Sequence, residues 1–314
     1  MKKFSTVGDT AKSKSLKKDI LRNWDLYLLM VIPLALLLVF NYYPMLGLQI
    51  AIKKFTPSGG IWASPFVGMA NFVKLFNTPK IWTLIKNTFS ISLYQLLVEP
   101  IFTMAFALLL NAIFSKGYKK TVQMITYMPH FISTVVMIGV LTQILNPSIG
   151  LYGKFCDLIG IKAIDILAKP AAFNHLYVWS LIWQNVGWNT IIYIAALSSV
   201  DLDLYEAAAL DGANRFKQLI HIDLAVVLPT FIILLILKVG AMMSVGYERV
   251  LLMQNPLNLR ASEIITTYSY KVALVTSSDY SYGTAIGLFN SVVNLVLITA
   301  VNKASKKITN SSLW

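Results

Sequence analysis

Long apolar segments are the feature that most constrains how this chain folds. A helix that crosses the hydrocarbon core of a bilayer needs about 20 mostly apolar residues. Six segments approach that length, so the sequence predicts an all-α membrane protein with six transmembrane helices. They lie at Leu26–Leu48, Thr88–Phe114, Thr121–Leu145, Leu176–Leu197, Pro229–Val245 and Tyr282–Val301.

Composition supports a membrane protein and argues against two common kinds of site. Of the 314 residues, 56% are hydrophobic and only 13% are charged, whereas soluble domains average about 25% charged residues. Cys156 is the single cysteine, so neither a disulfide framework nor a cysteine metal cluster is expected. His130, His175 and His221 are far apart and lack metal-ligand spacing, so no protein-bound metal is expected.

The net charge of +13 has two explanations, nucleic-acid binding or basic loops on the cytoplasmic side of a membrane. The basic residues are spread over short segments that flank the apolar runs, which favours the second explanation. Six spans place these segments on one side, so both termini are predicted to be cytoplasmic. The basic residues on that side include Lys2, Lys3, Lys12, Lys14, Lys17, Lys18, Arg22, Lys116, Lys119, Lys120, Arg215, Lys217, Lys303, Lys306 and Lys307, while the longer outer loops contain Lys53, Lys54, Lys74 and Lys80.

The same pattern divides the chain into regions. We expect a basic tail at residues 1–25, a first span with an outer loop at 26–87, a core of five spans at 88–303, and a cytoplasmic tail at 304–314. The first span lacks a cleavage site and is expected to be an uncleaved anchor. The stretch SLKKDILRNWDLYLL before it fits either an interfacial amphipathic helix or an extension of the span.

Two ionisable residues interrupt the apolar segments. Glu99 lies in the second predicted span and Lys238 in the fifth. Charges at bilayer depth are costly and are usually functional or paired. Either the two residues face a solvated pathway, paired with each other or with a partner subunit, or they form a structural ion pair, or Lys238 snorkels to the interface.

The fourth predicted span mixes indole rings with amides. Several of these residues are spaced at i, i+4 and so share a helical face. Such a face suits a sugar, whose C–H surface stacks on aromatic rings while its hydroxyls bond to amides; interhelical packing is the alternative. The candidate pathway residues are Trp183, Asn185, Trp188, Asn189 and Tyr193, with Glu99 and Lys238.

The loop at residues 198–228 predicts two short helices. Ser198 or Ser199 is expected to cap the first, Asp211-Gly212 to end it, and a second piece at Ala213–Leu224 to lead to Pro229 at the start of the fifth span. The alanines around residue 208 offer a smooth surface for another protein. An ordinary solvated loop helix is the alternative.

The spacing within this loop resembles the EAA loop of ABC importer permeases. Glu206-Ala207-Ala208 is followed by Gly212 after three residues and by Ile222 after nine more, and Asp211-Gly212-Ala213 resembles the sugar-permease form. The segment FVGMANFVKLF resembles the family's entry into the core, and YMPHFIS, WQNVGWNTIIYIAAL, VGYERVLLMQNP and the ending LW resemble the branch that handles oligosaccharides and polysaccharide fragments. The likeness covers nearly the whole chain.

This resemblance implies a type I importer permease and its partners. The chain would pair with a second EAA-containing permease, two ATPase subunits that hold ATP and Mg²⁺, and an extracellular binding protein that delivers sugar. The docking residues would be Tyr205, Glu206, Ala207, Ala208, Asp211 and Gly212. The chain itself lacks a phosphate-binding loop, so no catalysis and no cofactor are expected on it.

Three alternatives remain beside this one: the same architecture for another small solute, an ion-coupled secondary transporter, and an intramembrane enzyme. No internal repeat supports the second, and no nucleophile–base pair or metal spacing supports the third. One departure from the family pattern is Ala225, which stands where a proline is usual. The absence of this proline predicts a more continuous helix at the start of the fifth span.

Overall fold

The structure is a computed structural model that describes residues 22–309, and the regular secondary structure in that range is helical. The sole strand-like pairing there is a single bridge between Lys53 and Phe66. The first half contains α1 (Trp24–Leu37), which continues through a π-helical turn (Leu38–Tyr42) and a 3-10 segment (Tyr43–Ile52), then α2 (Gly60–Ala63), α3 (Ala70–Asn77), α4 (Ile81–Asn111), α5 (Lys116–Tyr127) with a 3-10 extension (Met128–Phe131), α6 (Thr134–Ile144) and α7 (Leu151–Leu158).

The second half follows in the same manner. After a 3-10 turn (Pro170–Ala172) come α8 (Phe173–Asn189), α9 (Ile191–Leu197), α10 (Leu202–Leu210), α11 (Arg215–Gln218) with a π-helical segment (Leu219–Asp223), α12 (Leu224–Gly240), α13 (Tyr247–Met253), α14 (Leu259–Ser262), α15 (Ile265–Tyr270) with a π-helical segment (Lys271–Thr276), and α16 (Tyr280–Thr309).

Four continuous helical stretches in residues 22–309 are long and apolar enough to cross a bilayer: Trp24–Ile52, Ile81–Asn111, Arg215–Gly240 and Tyr280–Lys307. A fifth candidate is the pair formed by α5 with its extension and α6, which is bent by 102°. The predicted fourth span divides at Thr190 into helices of 17 and 7 residues. The all-α class is therefore confirmed, and by length and composition the structure supports four or five of the six predicted spans.

Two local predictions around the loop at 198–228 are wrong. Asp201 caps α10 by accepting a hydrogen bond from the Asp203 N–H, whereas Ser198 and Ser199 bond back to carbonyls of α9. Pro229 does not begin a span, since it lies inside one continuous helix from Arg215 to Gly240. The expectation of a continuous helix around Ala225 agrees with this geometry. The predicted interfacial helix begins outside the described residues.

The core forms where α4 and α8 pack along each other. Ile91 of α4 meets Tyr177, Val178 and Ile182 of α8 in the principal buried cluster. At Gly187 the backbones approach so closely that a Cβ would overlap the Thr126 carbonyl of α5. Small residues at such crossings are how membrane helices pack, because close van der Waals contact replaces the hydrophobic drive available in water.

The first span has the opposite character. Its apolar residues are exposed on all faces, and Ala51 near its end is its single buried residue. Only its 3-10 segment packs extensively on the rest of the chain, mainly on α16. An exposed helix of this length that is apolar all round is suited to lipid or to another membrane subunit.

The close approach at Gly187 generates a prediction about stability. Gly187→Ala forces α5 and α8 apart and should lower stability by about 1–3 kcal/mol, as overpacking does. Thermal unfolding of the detergent-solubilised protein measures this. Gly117→Ala is the matched control, because Gly117 is also helical and nothing lies within 4 Å of its added Cβ. Helix propensity alone should then leave that variant unchanged or up to about 1 kcal/mol more stable. Equal melting of both variants would contradict the packing argument.

Candidate functional site

Glu99 stands at the centre of the candidate site. It lies on α4 beside Pro100 and is only 2% exposed. Its Oε1 accepts hydrogen bonds from Lys238 Nζ at 2.6 Å and from Asn189 Nδ2 at 3.0 Å. Its Oε2 accepts one from Gln95 Nε2 at 3.1 Å. Three helices, α4, α8 and α12, therefore converge on one carboxylate.

These donors explain how a charge is tolerated in the interior. An isolated buried carboxylate is strongly unfavourable unless it is paired and hydrogen-bonded. Here one ammonium group and two amides surround it, and bonds to an ionised acceptor are stronger than neutral ones. The structure pairs Glu99 with Lys238, an arrangement that both the pathway hypothesis and the structural ion-pair hypothesis allow.

Two clefts meet at this pair. The first has a volume of about 180 Å³ and is lined by α4, α8, Lys238 of α12 and the irregular segment that follows α12. Its lining residues are Ser92, Gln95, Leu96, Glu99, Tyr177, Leu181, Lys238, Ala241, Met242, Ser244, Val245 and Gly246. Irregular backbone at membrane depth is tolerated where it lines a cavity, which accounts for the break in helix after Gly240.

The second cleft has a volume of about 480 Å³ and is lined by residues of α4, α8, α9 and α12. Lys238 lines both clefts. The remaining residues of the second cleft combine aromatic and amide side chains with aliphatic ones, and they are Pro100, Thr103, Trp188, Asn189, Ile191, Ile192, Tyr193 and Leu234. Aromatic faces and a few polar groups at fixed positions are typical of small-molecule sites.

The structure separates the residues predicted to share one face of the fourth span. Asn189 binds Glu99, and Tyr193 is buried against the second cleft. Asn185 instead contacts His130 through its Oδ1, which lies 2.9 Å from His130 Nδ1. Trp188 stacks on the same imidazole, with centroids 4.5 Å apart and planes 5° from parallel. Trp183 is 55% exposed and lines neither cleft.

Sequence reasoning missed Gln95, Tyr177 and His130. Gln95 precedes Glu99 by four residues, so helical spacing alone would have placed it on the carboxylate. His130 gave no signal, because its partners are 55 or more residues away along the chain.

A buried arginine is a further surprise. Arg249 of α13 is 6% exposed and donates to Ser180 Oγ at 3.0 Å and to Gln184 Oε1, both on α8. It ties the segment beyond α12 to the helix that supplies Asn189. No spacing in the sequence joins these residues, since 65 or more positions separate them.

The loop between α9 and α12 has the helix–break–helix form that the sequence predicts. α10 ends where Gly212 adopts a φ of +75°, a conformation open to glycine. Asn214 then caps α11 by accepting from the Lys217 N–H. Of the predicted docking residues, Glu206, Ala207, Asp211 and Gly212 are exposed, whereas Tyr205 and Ala208 are half-buried.

Tyr205 fixes α10 onto the continuous helix from Arg215 to Gly240. Its hydroxyl donates to Asp223 Oδ1, and its carbonyl accepts from Gln218 Nε2 at 3.3 Å. Burial raises the pKa of Tyr205 to about 12, and the bond to Asp223 adds to the rise. The tyrosine therefore stays a donor at neutral pH.

Residues 100–310 match the model of the family described as the binding-protein-dependent transport system inner membrane component. The chain belongs to that family. This membership confirms the family and the transport function that the EAA spacing predicts, and it favours them over the ion-coupled and enzyme alternatives.

Relatives and solved structures are similar over nearly the whole chain. Protein LplB of Bacillus subtilis (strain 168) is 37% identical over 96% of this chain and 93% of its own length. The polygalacturonan/rhamnogalacturonan transport system permease protein YteP of the same organism is 36% identical over 96% of this chain and 94% of its own. A chain of a bacterial alginate ABC transporter, crystallised with an alginate pentasaccharide-bound periplasmic protein, has a TM-score of 0.86 at 36% identity, covering 95% of this chain and 99% of that one.

The Glu99–Lys238 pair generates a prediction about folding. Lys238→Met leaves the buried carboxylate with two amide donors and no counter-charge. Since Lys238 is partly exposed, we expect a loss of stability of the order of 2 kcal/mol, less than for a fully buried pair. The double variant Glu99→Gln/Lys238→Met removes both charges and should recover most of that loss. Thermal unfolding of the two proteins in detergent tests this, and a double variant less stable than Lys238→Met would contradict it.

Proposed function

We propose that this chain is the membrane-spanning permease subunit of an ATP-driven importer for an oligosaccharide or polysaccharide fragment, delivered by an extracellular binding protein. The observation that carries the cargo assignment is the convergence of Glu99, Asn189 and Lys238 between two clefts, with Trp188 and Tyr193 beside them. Amides and charged groups suit sugar hydroxyls, and an indole face suits the C–H surface of a ring. The names of YteP and of the alginate transporter support a saccharide cargo.

We further propose that the chain has six spans with both termini in the cytoplasm. The five candidate spans, together with α8 and α9 taken as one, make this number. The resulting topology places α10 on the same side of the membrane as the basic ends of the chain. Lys116, Lys119 and Lys120 in the first turns of α5 lie on that side too. This topology gives the excess of positive charge to that side, as the positive-inside rule expects.

The coupling step is assigned to α10. Its exposed Glu206 borders a cleft whose floor includes Asn111, Phe114 and Arg215, and the guanidinium of Arg215 lies 4.2 Å from the centre of the Phe114 ring. A partner ATPase, holding ATP and Mg²⁺, would dock there, while this chain binds no cofactor. A second permease of the same kind would complete the membrane part as a heterodimer. Movement of α10 would pass to α12 through Tyr205 and Asp223.

The docking role is tested by reversing one exposed charge. Glu206→Lys should lower the amount of ATPase subunit that co-purifies with the permease by roughly tenfold or more, the effect of losing an interface hot spot, and sugar uptake should fall with it. Asp157→Lys is the matched control, because Asp157 is exposed on α7, across the membrane in the proposed topology. Normal ATPase recovery and normal uptake with Glu206→Lys would rule out this docking site.

The cargo assignment is tested at Trp188. Removing the indole in Trp188→Ala should lower saccharide uptake by about three- to tenfold, since a ring contact contributes about 0.5–1.5 kcal/mol, and Trp188→Phe should recover part of it. Trp179→Ala is the control, because Trp179 is on the same helix with similar exposure but lines neither cleft. Assembly with the partner subunits is measured in parallel. If Trp188→Ala abolishes assembly and Trp188→Phe restores it, the ring has a packing role and the assignment is wrong.

A further inference from the structure

We propose that Lys238 binds a carboxylate of the transported saccharide, so that the cargo is an acidic saccharide. This inference rests on the proposed import function and adds to it the chemical class of the substrate and the residue that selects it.

Lys238 is the one basic side chain that lines either cleft in the described part of the chain, and it lines both. About a third of its side chain is exposed, at 35%, whereas that of Glu99 is 3% exposed. A ligand in the second cleft therefore meets Lys238 and not Glu99, and a ligand in the first cleft meets a lysine side chain that is more exposed than the carboxylate.

Lys238 also has bonding capacity to spare. An ammonium group carries three donors, and the hydrogen bond to Glu99 Oε1 uses one of them. Glu99 does not depend on this bond alone, because Asn189 donates to Oε1 and Gln95 donates to Oε2. The lysine can therefore turn towards a ligand while the buried carboxylate keeps two amide donors.

A second donor in the first cleft lacks an acceptor. Tyr177 is fully buried, and its hydroxyl finds no hydrogen-bond acceptor among the described residues. It faces the irregular segment at Gly246, where an added Cβ would lie 3.3 Å from the tyrosine oxygen. An unmet buried donor is unfavourable, so its presence beside Lys238 favours a ligand that brings acceptors.

These features together select for a carboxylate over a hydroxyl. A carboxylate offers two oxygens and a full charge, so it can accept hydrogen bonds from the donors that Lys238 has to spare. Hydrogen bonds between two ionised groups are roughly twice as strong as neutral ones. A carboxylate entering a low-dielectric cleft needs such a cation, because its own dehydration is unfavourable. Acidic sugars such as uronic acids carry that group on the ring.

Matched substrates separate charge from size. The permease, assembled with its partner subunits and binding protein in proteoliposomes, is given uronic acid trisaccharides and the methyl ester of each, with neutral trisaccharides alongside. The readout is the ratio of acid to ester uptake. The unaltered complex should import at least one acid faster than its ester.

The effect of Lys238 on the acid-to-ester uptake ratio is then measured by comparing two variants that both carry Glu99→Gln. Glu99→Gln retains the cation and should keep or raise the ratio. Glu99→Gln/Lys238→Met lacks the cation and should lower the ratio by roughly tenfold or more relative to Glu99→Gln, as expected for the loss of a charged hydrogen bond. Lys238→Arg, which keeps the charge, should retain most of the preference. All of these variants are checked for assembly with their partner subunits in detergent. The same binding protein is used with each variant, so its own selectivity cancels when the uptake ratios are compared.

The outcomes distinguish this inference from the function on which it rests. Equal ratios in Glu99→Gln and Glu99→Gln/Lys238→Met would overturn the role of Lys238. Uptake of neutral trisaccharides alone would overturn the acidic cargo and leave the saccharide importer standing. No uptake of any saccharide by the unaltered complex would overturn both.

Discussion

The ionised carboxylate of Glu99, held inside a bundle that would otherwise be apolar, is the constraint on which the centre of the structure depends. A charge at this depth persists only if other helices supply donors to it. α4 supplies Gln95, α8 supplies Asn189 and α12 supplies Lys238. The three helices are therefore fixed in register by one side chain. The same donors also line the clefts, since Gln95 and Lys238 belong to the first cleft and Asn189 and Lys238 to the second.

The helix that carries Lys238 also carries the contact to α10. From Arg215 to Gly240 it is continuous, with Asp223 bonded to Tyr205 near one end and Lys238 bonded to Glu99 near the other. Fifteen residues at 1.5 Å each separate these two points by about 22 Å. A push on the proposed docking helix would thus reach the buried pair through one rigid element. Ala225 keeps a backbone donor that a proline there would lack, so that Pro229 is the single residue between Asp223 and Lys238 without one.

The sequence was most informative about features that depend on residues near one another along the chain. Apolar length predicted the helical class, and the EAA spacing predicted the family and the helix–break–helix form, because both depend on residues near one another. Helical spacing placed Asn189 and Tyr193 together, and both line the second cleft, but it also grouped Asn185 with them, which contacts His130 instead. The fourth span's division at Thr190, the cap at Asp201 and the continuation of α12 through Pro229 depend on competing local hydrogen bonds, which composition does not rank. His130 and Arg249 depend on contacts 55 or more residues apart, which no spacing reveals.

The exposed surfaces indicate how the site would be completed. Trp188 and Ile192 line the second cleft yet remain exposed on the isolated chain, and the first span buries almost nothing. A saccharide that has given up its hydration shell needs walls on every side, since a polar group left without partners is unfavourable. Those missing walls would come from the second permease of the proposed heterodimer. This chain would then supply the charged side of the pathway, and the partner permease would contact the rest of the sugar surface.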